Sequence, residues 1–74
     1  MVMAADQVLE RLTKERDELR EKIRRLQAFL NGAGARDLPV AEAELLMAQV
    51  GAMAEYLSIL DRRITRTGRP PPPG

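Results

Sequence analysis

Two apolar runs of the same period, one on each side of the string NGAGARDLP, limit what this chain can fold into. The first is Leu9, Leu12, Arg16, Leu19, Ile23, Leu26 and Leu30. The second is Ala43, Leu46, Val50, Met53, Leu57, Leu60 and Ile64. Each advances by three and four residues in alternation, which is the seam of a helix lying lengthwise on another helix. No Gly or Pro interrupts Val8 to Leu30, and a helix of that stretch spans about 34 Å. Glu10–Lys14, Glu18–Lys22 and Glu21–Arg25 are i, i+4 pairs that support it from outside the seam.

The boundaries follow from local chemistry. Asp6 is the expected N-cap of the first helix. Asn31 and Gly32 tolerate the left-handed conformation that ends helices. Asp37-Leu38-Pro39 opens the second helix, with Pro39 in the first turn, where its missing N–H costs nothing. The fold class is therefore all-α: an antiparallel two-helix hairpin over residues 6–67, with helices at about 7–30 and 39–66 and a flexible loop at 31–38. Residues 1–5 are expected to be disordered, and 68–74 form a proline-rich tail suited to polyproline II.

The second helix is apolar on more than its seam. Leu45, Gln49, Ala52, Tyr56, Ile59 and Arg63 form a further stripe, and Met47 adds to it. A lone hairpin would leave that surface wet, and such patches mark interfaces. Gly51 costs about 1 kcal/mol against Ala inside a helix, which suggests close approach of another backbone.

A chain of 74 residues rarely obtains more than about 3–5 kcal/mol from its own core. Small domains add disulfides, a metal or partners. There is no Cys and no His, so disulfides and the usual zinc ligands are excluded. Association with copies of itself remains, and a helical homo-oligomer is expected. No apolar run reaches a membrane span, and no signal peptide is visible. A cytoplasmic protein with no membrane partner is expected. A net charge of +1 gives no strong field for nucleic acid.

Catalysis finds little to work with. There is no His and no Cys, and Ser58 has no base to activate it. The chain is expected to be non-enzymatic, without catalytic residues, metal or cofactor. The residues able to bind an anionic ligand are Arg16, Lys22, Arg25 and Arg63, with Phe29 and Tyr56 as faces for stacking. Each has a structural alternative. Arg16 sits on a Leu seam and must snorkel to water or pair with an acid across the hairpin. Phe29 and Tyr56 can pack an interface. Lys22, Arg24 and Arg25 can be a solvated helix face. Arg62, Arg63 and Arg66 can complement the helix dipole.

The strings ERLTKERDELREKIRRLQAFL and EAELLMAQVGAMAEYLSILDRRI resemble a set of very short bacteriophage proteins, crAss-like phage proteins among them. The likeness runs through Leu26, Phe29, Leu30, Leu46, Gln49, Met53, Tyr56, Ile59, Leu60, Arg63 and Ile64 and covers roughly residues 8–64. The hairpin is similar to that of the anti-CBASS and anti-Thoeris sponges. That resemblance implies a protein that binds host immune messengers between subunits without degrading them. The implied ligand is a cyclic di- or trinucleotide or a cyclic ADP-ribose-type signal, met in the host cytoplasm. A structural or adaptor hairpin for a protein partner is the rival expectation. A small nucleic-acid-binding regulator using the Arg-rich end ranks behind it.

Overall fold

The computed structural model describes residues 3–68, and side chains from Asp6 onward. Two α-helices of equal length flank a short turn, with no strand among the described residues. Helix α1 is Met3–Asn31 and helix α2 is Val40–Gly68. Between them Ala33–Asp37 forms a 3-10 turn.

The seams meet as the period demands. Leu12, Ile23, Val50 and Leu60 are the buried core, and every other seam position is half-buried while most of its neighbours are exposed. Leu60 has no exposed area. Burying a side chain of that size contributes about 1.5–3 kcal/mol, so this one position carries much of the hairpin. Three contacts fix the antiparallel register: Glu15 with Tyr56, Arg16 with Asp61, and Leu9 beside Gly68. The result is a rod of 57 × 19 × 14 Å with a radius of gyration of 17.0 Å. A compact globule of this length would have about 11 Å. Two helices side by side cannot enclose a deep core.

Several sequence expectations need correction. The helix begins a turn before Asp6, because Ala4 and Ala5 are strong helix formers; Asp6 lies in the first turn, where its charge still favours the dipole. The part of the expected disorder that falls on residues 3–5 is therefore helix, and residues 1–2 lie outside the described residues. The stop at Gly32 is not left-handed: its φ is −101° and its ψ −179°. The Gly32 N–H donates to the Phe29 carbonyl at 3.1 Å, tightening the last turn. Nor is the connection a plain loop. Ala35 N–H donates to Gly32 and Leu38 N–H to Ala35, at 3.3 and 3.2 Å. Pro39 immediately precedes α2, and its carbonyl accepts the helix's first bond from Ala43 at 3.0 Å. Gly51 faces open space, with nothing within 4 Å of where a Cβ would stand; no backbone approaches it within the hairpin. The proline-rich tail from Arg69 lies outside the described residues.

α2 also carries more apolar surface than its seam uses. By length and composition it is apolar enough to cross a membrane, its most apolar window having a mean hydropathy of 1.2. Glu44 and Glu55 punctuate that window, so no unbroken apolar run in it reaches a span. Only 11% of that window is buried. The apolar surplus is the stripe outside the seam, where Leu45 is 66% and Ile59 50% exposed.

Candidate functional site

Antiparallel packing gives the rod two broad faces. On one, the α1 flank of Glu15, Lys22 and Phe29 lies beside the α2 stripe of Leu45, Gln49, Ala52, Tyr56, Ile59 and Arg63. The Tyr56 hydroxyl ties the two together by donating to the Glu15 carboxylate. A shallow groove on the same face is bounded by Phe29, Leu38, Glu42, Leu45, Leu46 and Gln49. The opposite face carries Arg16, Arg20 and Asp61, and a second open groove between Gln27, Asn31 and Met47.

Arg16 goes to the second face and away from the aromatics. Its side chain is 25% exposed. It pairs with Asp17 at 3.0 Å and reaches Asp61 across the hairpin at 3.9 Å. Arg20 adds a 3.8 Å contact to the same carboxylate. A cation on a Leu seam has thus found acids at the rim of the interface. Such half-wet pairs contribute about 0–1 kcal/mol; their larger service is to leave no charge unpaired in the seam.

Arg25 stands on the outward side of α1, and Lys22 on the flank between it and α2. Arg25 Nε lies 3.3 Å from Glu21 Oε1, the one i, i+4 pair of the three expected that closes among the described residues. Arg24 competes for the same carboxylate at 2.6 Å. The hydrogen bond from Arg24, with help from Arg25, lowers the Glu21 carboxyl to about 2. The same bond raises the Arg24 guanidinium above its usual value. Glu21 therefore occupies two of the cations an anion would need. Lys22 makes no ion pair among the described residues and borders a shallow groove with Asp17, Glu18, Glu21 and Arg25.

The aromatics are separated. Phe29 lies at the turn end, its ring so close to Gly34 that a Cβ there would stand 2.7 Å from Cε1. A side chain at Gly34 would force that ring to move. Tyr56 lies 11 positions beyond Leu45 on α2, about 16 Å along the axis. The Glu15 hydrogen bond pushes the Tyr56 phenol above its usual value, and Arg63 pulls the other way. One chain thus sets Phe29, Lys22, Tyr56 and Arg63 along one face and encloses none of them. Arg16 is on the other face, and Arg25 is engaged by Glu21.

Sequence reasoning missed Glu15 and Asp61. Both belong to charge-alternating strings where any acid looks solvated, and only the hairpin register singles them out. Among the described residues, no group of three or more acidic side chains is placed to hold a metal ion.

These features define a class: a small all-α hairpin whose surface chemistry is spread over one face of a rod. Within that class, the model of the Sequestin family matches residues 6–66, and the chain belongs to the Sequestin family. The matched span takes in both helices and the turn. The family name is consistent with sequestering a ligand, as the resemblance to the sponges implied. No curated protein and no solved structure matches the chain.

Proposed function

We propose that this protein is a non-enzymatic phage sponge: it holds a cyclic-nucleotide immune messenger between subunits of an oligomer and releases it unchanged. The observation that carries the reading is the apolar, aromatic-bearing face beside Lys22 and Arg63. Tyr56 and Phe29 are 40% and 41% exposed there, and Leu45 and Ile59 more so. Sequestration needs cations for phosphates and flat or apolar faces for bases. It needs no catalytic group. A symmetric oligomer repeats a modest set of such residues around each site, and membership of the Sequestin family supports the same reading.

Calorimetry against cyclic dinucleotides, cyclic trinucleotides and cyclic ADP-ribose-type signals tests it. Tight binding of one, recovered intact after denaturation, is the expected result. Silence across the whole panel removes the proposal.

A second reading is favoured by the shallow, open grooves beside α2: an adaptor hairpin that lays the α2 stripe on another protein. Capture from host lysate at mild salt tests it, and recovery of no protein counts against it.

A further inference from the structure

We propose that α2 of one copy pairs antiparallel with α2 of a second copy across a two-fold axis at Ala52. The proposal shares with the sponge reading the premise that copies associate, and it does not depend on the ligand.

The stripe extends further than its apolar members. Glu42, Leu45, Gln49, Ala52, Tyr56, Ile59 and Arg63 keep the alternating spacing of three and four, and all are exposed. Turned end for end about Ala52, the row is complementary to itself. Glu42 meets the partner's Arg63, Leu45 meets the partner's Ile59, and Gln49 meets the partner's Tyr56. Ala52 meets its own copy. Its small side chain permits the short end of the usual 8–10 Å between helix axes. An isologous contact of this kind closes on itself.

Charge selects this arrangement over its competitors. A parallel pair would set Glu42 on Glu42 and Arg63 on Arg63, and like charges opposed across an interface are unfavourable. Sliding the antiparallel pair by one step of the stripe buries a charge against an aliphatic side chain. One direction sets Glu42 on the partner's Ile59, and the other sets Leu45 on the partner's Arg63. Shape agrees with charge. The groove between Phe29, Leu38 and Leu45 lies where the partner's Ile59 arrives, and Ile59 is half exposed on the single chain. Each copy offers one knob and one hole.

The pairing also sorts the candidate ligand residues. Arg63 and Tyr56 are taken up by the partner's Glu42 and Gln49, which leaves Lys22 and Phe29 among the same-face candidates for a ligand. Lys22 is level with Ala52 in the hairpin register, so the two copies bring one Lys22 to each side of the axis. Two cations related by a dyad suit a ligand with two phosphates.

The chain has no Cys, so a single introduced thiol reports the axis. Disulfides need Cα atoms closer than about 7 Å, which facing residues on a dyad satisfy. Ala52→Cys is expected to form a linked dimer on mild oxidation. Ser58→Cys, on the opposite flank of α2, is expected to remain free. Both sites are exposed, and circular dichroism confirms the helices. Glu42→Arg or Arg63→Glu alone is expected to weaken association about 10-fold, and the two together to restore it to within about 3-fold, as rim charge pairs do.

Failure of Ala52→Cys to link, in a chain that sediments as an oligomer, overturns the proposal and leaves the sponge reading intact. A linked dimer that binds no messenger removes the sponge and keeps the pairing. A wild-type chain that sediments as a monomer overturns both, whether or not it binds lipid vesicles.

Discussion

Helices α1 and α2 are equal in length and carry seams of the same spacing, yet their outer surfaces are opposites. Between Glu10 and Arg25 every position of α1 off the seam except Thr13 is charged, and acids and bases there answer one another, as Glu21 does with Arg24 and Arg25. Away from its seam α2 shows Leu45, Met47 and Ile59 to solvent. The shared period makes both of them halves of one hairpin. The residues off that period decide that α1 ends at water while α2 still has a face to cover. In a rod this thin, fold and business are written on different positions of the same helices.

The largest expected effect is on the half they share. Leu60→Ala deletes the one side chain among the described residues with no exposed area and is expected to cost about 2–5 kcal/mol, read by urea denaturation. Equal loss from an exposed α2 position would break the distinction between seam and surface.

Next comes the half they do not share. Ile59→Lys is expected to leave helix content unchanged while weakening association about 100-fold, as loss of a central apolar anchor does. Reversing a charge on the outer face of α1, as in Arg24→Glu, is expected to change association little. Sedimentation of both variants sharpens the contrast or erases it.

The turn that joins the helices gives a smaller effect. Gly34→Ala drives a methyl against the Phe29 ring. It is expected to cost about 1 kcal/mol, the low end for overpacking, because the ring is partly exposed and can shift.

Two titrations are smaller again. Tyr56 is the only tyrosine, so its ionisation is directly visible by ultraviolet absorbance. Its neutral hydroxyl donates to Glu15, which raises its pKa above the usual 10.0. The contribution of that bond is present below pH 10.0 and is lost as pH rises past the raised value. Glu15→Gln is expected to return the phenol toward its usual range. Glu21 runs the other way, from 4.5 down to about 2. Its pairing with Arg24 and Arg25 helps α1 fully above the unfolded value and fades as pH falls through about 2. Carboxyl resonances followed by NMR check the shift, and added salt should reduce it.

The helices themselves were legible because a seam of period 3.5 admits few alternatives, and all fourteen seam positions turn inward. Where the expectations slipped, two local rules competed. Asp6 is a good cap, but the alanines before it are better helix formers than Asp6 is a stop. Gly32 favours a left-handed ending, but a 3-10 closure onto Phe29 satisfies the orphan carbonyl with extended backbone. For Arg16, the expectation of an acid across the hairpin was sound. That the acid is Asp61 needed the register, which no single-helix argument supplies. The candidate site was least legible. Lys22, Phe29, Tyr56 and Arg63 share a face, but Arg16 does not, and nothing within one chain folds that face around a guest.

The thin core ties the amount of protein to its lifetime. With four buried side chains among the described residues, and Leu60 alone fully so, the isolated rod has little margin against opening, and a partner that covered α2 would add stability by mass action. Molecules made in excess of their cover spend more time open, where proteases find them. Under the proposed pairing, abundance then adjusts itself to the number of copies present, with no separate regulator required.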